Sequence, residues 1–328
     1  MPVVVSTVPK WRFDTSEVVV PSEWTVIFCN PANETELAAA CKDADCLLVL
    51  ASFPEVTASV LKQLKSVKLI QAVGAGYDRI DGKAAAKLGI PVANVPGANA
   101  QTVAEFTVGS IIALQRQLVV ADRETKAGRY SNIRKSLLTT GLQEIAGSTV
   151  GLIGLGAIGR QTAKILKFLG ASIYYYGRSR QSAALEAELG IQYRSLPKLL
   201  TLSDIVSVHV PLTDQTRGLI GHAQMSLMKQ GSLLINTARG EVIDELALAE
   251  MLETGRLAGA AVDVTYPEPP PADHPLLTLS PEARERLLIT PHIAGVTVGS
   301  FRCMLKQALQ NIDRVLHQEV PHNVVNGL

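Results

Sequence analysis

Several things are scarce in this 328-residue chain. It has only four cysteines, Cys29, Cys41, Cys46 and Cys303, with no CxxC pair among them. They are too few and too scattered for a disulfide framework, and a zinc or iron–sulfur site has no ligand spacing to stand on. Charge of one sign is missing too: 31 Lys and Arg against 30 Asp and Glu leave a formal net charge of +1. That balance gives no electrostatic footprint for nucleic acid or for an anionic membrane surface. Long apolar runs are also absent. The most apolar stretch, from Val103 to Val120, is interrupted by Glu105, Gln115 and Arg116. This argues for a helix buried on most of its faces and against a membrane span. The N-terminus, Met1-Pro2-Val3-Val4-Val5-Ser6, lacks the basic region and apolar core of a signal peptide. No HExxH, GxSxG or Walker loop occurs, which removes most hydrolase and kinase readings. The expectation is a soluble, cytoplasmic protein with reduced thiols, no metal, and length enough for two domains.

What is present is an alternation of short β-branched runs with helical patterns, the mark of parallel sheets in an α/β fold. Strands are expected at 26–28, 46–50, 68–72 and 92–94, with helices at 34–42, 57–64 and 80–88 between them. A second block carries six expected strands, at 149–153, 172–176, 205–210, 232–236, 260–264 and 287–290. Six strands match the size of a doubly wound dinucleotide-binding domain. Beyond Pro291 comes one amphipathic helix, with Phe301, Met304, Leu305, Ala308, Leu309, Ile312 and Val315 at three- and four-residue steps. No strand follows it, so it needs another surface, and the first sheet is the expected one. The reading is therefore two Rossmann-like domains with parallel sheets and an active site in the cleft between them. Residues 99–293 would bind the dinucleotide; 1–98 plus 294–328 would form a discontinuous substrate domain.

Gly154-Leu155-Gly156-Ala157-Ile158-Gly159 matches GxGxxG. The motif is weak alone, but here it follows an apolar strand, opens a helix and precedes a second strand, the context that gives it meaning. Gly154 would permit the tight turn, Gly156 the approach of a pyrophosphate, and Gly159 close helix–strand packing. The N–H groups of Ala157 and Ile158 would face the phosphates. In NAD-binding proteins an acidic residue about 20 positions on bonds the ribose 2′-hydroxyl. Here Gly177 occupies that place, no Asp or Glu lies between Gly154 and Ala184, and Arg178, Ser179 and Arg180 follow. This predicts NADP(H) in preference to NAD(H), with NAD(H) possible.

Ligands of open α/β sheets bind beyond the carboxyl ends of the strands. Read along that edge, the expected strands lead into His209-Val210-Pro211, Asn236-Thr237-Ala238-Arg239-Gly240, Asp263 to Glu268, and Thr290-Pro291-His292. Arg239, Glu268 and His292 thus emerge beside the expected cofactor. Arg239 can hold a substrate carboxylate with its fork and polarise the adjacent carbonyl. His292, an imidazole, can give a proton to the carbonyl oxygen. Glu268, on the other ring nitrogen, would orient it and favour its protonated form. Each residue alone reads more simply as a salt bridge, a solvated loop residue or a structural histidine; three on one sheet edge do not. His274 belongs to the loop of Glu268 and helps set its path. His209 reads as packed near the cofactor, while His222, His317 and His322 look solvent-facing.

These residues resemble the D-isomer-specific 2-hydroxyacid dehydrogenases over nearly the whole chain. The resemblance rests on Gly74-Ala75-Gly76-Tyr77-Asp78-Arg79-Ile80-Asp81, Val103-Ala104-Glu105, Thr149 to Gly159, and Pro211-Leu212-Thr213 with Thr216. It continues through Asn236 to Gly240, Ala261-Val262-Asp263-Val264, and Thr290-Pro291-His292-Ile293. It implies hydride transfer between a nicotinamide dinucleotide and a small 2-oxo or 2-hydroxy acid, with Arg239, Glu268 and His292 catalytic. It also implies substrate-carboxylate contacts from the N–H groups of Ala75 and Gly76. Asp263, Thr237 and Ala238 would lie at the nicotinamide, with Val210, Pro211 and Thr216 on the adenosine side. A homodimer built around the stretch from Val103 to Val120 is implied as well. Tyr130 stands where many relatives have Trp, which leaves substrate size open. Ala51, Ser52 and Phe53 are further candidates for the substrate pocket. The competing readings are oxidation of a small anion such as formate or phosphite, and a dinucleotide-sensing corepressor.

Overall fold

A computed structural model of the chain describes residues 1–50 and 55–328; the pocket candidates Ala51, Ser52 and Phe53 lie outside them. The chain divides into two compact units, Met1–Asn99 with Val296–Leu328, and Ala100–Gly295.

The first unit is built on five parallel strands: β1 (Val3–Ser6), β2 (Thr25–Phe28), β3 (Cys46–Leu50), β4 (Leu69–Val73) and β5 (Val92–Ala93). Their order is β2-β1-β3-β4-β5. The expected sheet begins at residue 26 and omits β1, which pairs with both β2 and β3. Val4 and Val5 are both buried, one into each layer beside the sheet. A parallel strand covered on both faces reads as a continuous apolar run, not an alternation. Helices are shorter than expected, at Glu34–Ala40, Ala58–Leu61 and Gly82–Lys87. Asn33 and Asp81 cap the first and last by accepting N–H bonds from Glu36 and Ala84. The C-terminal helix, Val298–Leu316, lays Phe301, Met304, Leu305, Ala308, Leu309 and Ile312 against Val4, Leu48, Leu69 and Val73 of this sheet. Each fully buried side chain of this kind contributes roughly 1.5–3 kcal/mol.

The second unit holds seven parallel strands: β6 (Thr149–Ile153), β7 (Ser172–Tyr176), β8 (Ile191–Tyr193), β9 (Ile205–Val208), β10 (Ser232–Asn236), β11 (Leu257–Val262) and β12 (Leu287–Ile289). The strand beyond the expected six is β8, a three-residue edge strand too short to carry a pattern. The order is β12-β11-β10-β9-β6-β7-β8. Chain direction across the sheet therefore reverses at β6 and β9, the switch point where such sheets open a crevice. Strand faces alternate between two cores: Ile153 joins Val206 and Leu234 in one, while Val150 and Leu152 join Ile173 and Ile235 in the other.

The single helix expected around the stretch from Val103 to Val120 is two. The first, Ala100–Gln115, buries Val103, Ala104, Val108 and Ile111. Gln117 then takes left-handed backbone (φ 48°), and a second helix, Leu118–Lys126, leaves at 59° to the first. It buries none of its residues, nor does the next helix, Tyr130–Thr140. Burial on most faces thus ends where the polar Gln115-Arg116-Gln117 breaks the helix. No single helix among the described residues is long and apolar enough to cross a membrane.

Candidate active site

The glycines where β6 meets the helix Ala157–Phe168 do three different things. Gly154 has φ +101°, and a Cβ there would stand 2.6 Å from the carbonyl oxygen of His209. At Gly159 a Cβ would lie 2.3 Å from the carbonyl oxygen of Gly154, so only glycine lets helix and strand approach this closely. Gly156, the N-cap, has open space around its missing Cβ and provides no side-chain cap for the helix behind it. The first-turn amides of Ala157 and Ile158 therefore meet an open approach with no cap side chain competing for them. Those features fit the pyrophosphate of a dinucleotide.

Beyond β7 the structure gives Arg180 a partner that the sequence does not announce. No acidic residue lies in the 154–184 stretch, yet one reaches this strand end from further along. Glu186, on the helix Ala183–Leu189, accepts both Arg180 Nε (2.9 Å) and Nη2 (2.8 Å), and Tyr175 Oη donates to it at 2.6 Å. Arg180, then Tyr175, holds the carboxyl down at about 2. Arg180 Nε and Nη2 are thus engaged by Glu186, while the side chain stays 65% exposed. Arg178 and Ser179 are exposed beside it. Tyr175 Oη also accepts the Gln181 N–H at 2.8 Å, so the triad shapes the turn that presents them.

After β9, His209 Nε2 bonds Ser207 Oγ at 2.9 Å, while its buried Nδ1 has no partner among the described residues. Burial pushes the ring down to about 4, so it is a neutral base near pH 7. Thr216 Oγ1 donates to the carbonyl of Pro211 (2.6 Å) and accepts the Thr213 N–H (2.8 Å), closing the turn past Val210.

At the end of β10 the fully buried Asn236 folds the next turn over itself. Its Oδ1 accepts the Ala238 N–H (3.0 Å) and its Nδ2 donates to the Arg239 carbonyl (2.9 Å). Arg239 is half-buried, its Nη1 donating to the Ala238 carbonyl at 2.7 Å, and Thr237 Oγ1 lies 3.2 Å from Thr107 Oγ1. Gly240 then touches the loop after β11: a Cβ would stand 2.3 Å from the carbonyl carbon of Thr265. Absence of that one atom brings the Arg239 turn and the Glu268 loop together.

Asp263, expected at the nicotinamide, is buried, and its carboxylate accepts three bonds from the segment after β12. Thr290 Oγ1 (2.6 Å) and the Ile293 N–H (2.8 Å) donate to Oδ1, and the Ala294 N–H (2.8 Å) to Oδ2. The Asp263 carbonyl also accepts the His292 N–H at 2.7 Å. Held this way, His292 adopts left-handed backbone (φ 54°), uncommon for a non-glycine residue and concentrated at functional sites. Its Nδ1 stands 2.8 Å from Glu268 Oε1, and both side chains are about one-third exposed (38% and 33%).

In the first unit, the Ala75–Gly76 turn follows β4 and Gly74 (φ +119°). Asn94, which carries no motif in the sequence, donates to the Ala75 carbonyl at 2.8 Å, and the Val95 N–H donates to that of Gly74. Glu186 and Asn236 also stand outside the expected site residues. Asn236 has a legible signal, a polar residue closing an apolar strand; Glu186 has none, because its partners lie on a different element.

An edge with an open, uncapped helix end at one strand and an imidazole–carboxylate pair a few strands away suits dinucleotide-linked oxidoreduction. The model of the D-isomer specific 2-hydroxyacid dehydrogenase NAD-binding domain matches residues 108–294. Glyoxylate reductase of Aeropyrum pernix is 38% identical over 299 residues, covering 90% of this chain and 87% of that protein. The structure of the TT0316 protein from Thermus thermophilus superposes with a TM-score of 0.86 at 31% identity, covering 99% of this chain and 100% of that one. A glyoxylate reductase from Paecilomyes thermophila does so at 0.84 and 27%, covering 99% and 98%. The chain belongs to the D-isomer-specific 2-hydroxyacid dehydrogenases.

Proposed function

We propose that the chain reduces a small 2-oxo acid to its D-2-hydroxy acid with a nicotinamide dinucleotide, NADPH in preference to NADH. The carrying observation is the 2.8 Å contact of His292 Nδ1 with Glu268 on the sheet edge that bears the open glycine turn. The bound dinucleotide supplies the hydride. Arg239 draws the substrate carboxylate into place and withdraws charge from the neighbouring carbonyl. His292, protonated at Nε2, delivers a proton to the carbonyl oxygen as it gains electron density, and the imidazole is left neutral. Glu268 stabilises the imidazolium before transfer and keeps the ring in one orientation. The Ala75–Gly76 turn offers two amide N–H groups as a further anion cradle.

Selectivity for NADPH rests on Arg178, Ser179 and Arg180, with Arg180 also holding the turn through Glu186. A homodimer forms through the helical region from Val103 to Val120 and the unburied helices after it, where Ile112, Leu118, Val119, Tyr130 and Leu138 are exposed. The four free cysteines suit a reducing, cytoplasmic setting.

A panel of glyoxylate, hydroxypyruvate, pyruvate and bulkier 2-oxo acids, assayed with both reduced cofactors, tests this reading. Turnover of the small acids is expected, with kcat/KM for NADPH higher by roughly tenfold, the scale of one charge-assisted contact. An Arg178→Ala variant should erase most of that margin. Oxidation of formate or phosphite alone, or tight peptide binding without turnover, would overturn the reaction; a native preference for NADH would overturn the cofactor assignment.

A further inference from the structure

The Glu268 loop carries one half of a second carboxylate–imidazole pair that the reaction above does not use. Glu245 opens the helix Glu245–Glu253, on the segment that begins at Arg239. His274 sits on the loop that carries Glu268. His274 Nε2 is 3.1 Å from Glu245 Oε2, and the two side chains are 3% and 9% exposed. The same Oε2 accepts the Tyr266 N–H at 3.0 Å, and His274 Nε2 also lies 3.3 Å from the Tyr266 carbonyl. The Leu276 N–H points at His274 Nδ1 (3.3 Å), so Nδ1 accepts and the neutral ring carries its proton on Nε2. Both backbone polar groups of Tyr266 are thereby tied to side chains anchored elsewhere.

We infer that Glu245 and His274 form a positioning clamp that locks the Arg239 segment to the loop presenting Glu268, and so sets the geometry of Glu268 against His292. Three observations converge on this. The Gly240 contact brings the same two segments together at the backbone. The clamp grips Tyr266, two residues before Glu268. Finally, burying a carboxylate beside an imidazole carries a desolvation cost, and Glu245 Oε1 is left without a partner in the interior among the described residues. Burial pushes the Glu245 carboxyl up, opposed by the Tyr266 N–H and His274 and reinforced by Glu241, itself 3.6 Å from Arg217. A surface salt bridge would gain little by such placement; a clamp gains rigidity.

This inference rests on the assignment of Glu268 and His292, and the test separates the two. His274→Ala, His274→Gln, Glu268→Gln and the double variant His274→Ala/Glu268→Gln are compared in 2-oxo acid reduction, with thermal melting alongside. His274→Ala should lower kcat about 10- to 100-fold, the usual range for losing an orienting partner, with KM for the cofactor changed less than about twofold. The alkaline limb of the reductive kcat–pH profile should move to lower pH, because a misplaced Glu268 supports the imidazolium less. His274→Gln, which keeps a donor near the Nε2 position, should recover most of the loss. In the Glu268→Gln background, His274→Ala should add little, since both act through one contact. A drop in melting temperature with kcat and the pH limb unmoved would overturn the clamp alone, as would independent, multiplying losses in the double variant. Indifference to Glu268→Gln would overturn the catalytic assignment and the clamp with it.

Discussion

Two carboxylates at the same edge of one sheet are used in opposite ways. Glu186 is saturated: it takes both arms of the Arg180 fork and the Tyr175 hydroxyl, and its charge has no freedom left. Glu268 meets an imidazole that is more than one-third exposed. The first arrangement suits holding a turn, since a bidentate pair with a third donor fixes geometry and resists protonation. The second suits proton transfer, since an imidazole can gain or lose a proton near neutral pH while one ring nitrogen keeps its partner. The partner, not the presence of a carboxylate, separates the structural site from the chemical one: a guanidinium cannot give up its proton near neutral pH, and an imidazole can.

The largest effect should come from breaking the titratable pair. His292→Ala is expected to lower kcat by about 10²–10⁴-fold with cofactor binding retained. Arg239→Ala should in addition raise KM for the 2-oxo acid strongly, because ground-state carboxylate binding goes with it. Steady-state kinetics with isothermal cofactor titration distinguish the two; near-normal kcat in His292→Ala would remove the imidazole from the mechanism.

A smaller but still large effect is expected at the joint between the two functional turns. Gly240→Ala places a methyl 2.3 Å from the Thr265 backbone, which cannot swing aside as a side chain end could. Activity should fall, and stability should drop by about 1–3 kcal/mol as the Arg239 turn and Glu268 loop separate. Denaturant unfolding measures the second quantity, and a wild-type midpoint would contradict the close approach.

The smallest effect should appear at the saturated pair, and it depends on pH. Glu186 is lowered from 4.5 to about 2, chiefly by Arg180 and then by Tyr175. A carboxyl depressed in the folded state contributes stability above its unfolded value and loses it as pH falls through the folded one. The contribution should therefore be complete above about pH 4.5 and fade between there and pH 2. Glu186→Gln should flatten melting temperature against pH in that window while leaving kcat at neutral pH nearly unchanged. An acid limb of the same steepness in the variant would mean that other carboxylates carry it.

Much of this is legible along the chain because parallel strands turn sequence position into spatial position. Each strand in such a sheet ends on the same edge, so finding the strand ends near Arg239 and His292 puts both on that edge, with Glu268 following β11. The glycine loop is legible for a similar reason: Gly154 and Gly159 sit where a side chain would strike backbone. The strands β1 and β8 escape because each is short, four and three residues. The bend at Gln117 escapes because a left-handed residue in the middle of a helical pattern is decided by what the two halves pack on.

By itself, then, the sequence determined the α/β class, the nucleotide-binding turn and the order in which chemical groups reach the sheet edge. These follow from patterns a few residues long, whose periods and glycine positions are local properties of the backbone. Only the tertiary structure decided which charge meets which. Arg180 turning to Glu186, Asp263 tying down the His292 segment, and Glu245 reaching His274 all join different elements of the chain. A side chain's partner depends on burial and on the competing donors around it, and those exist only once the strands have been laid side by side.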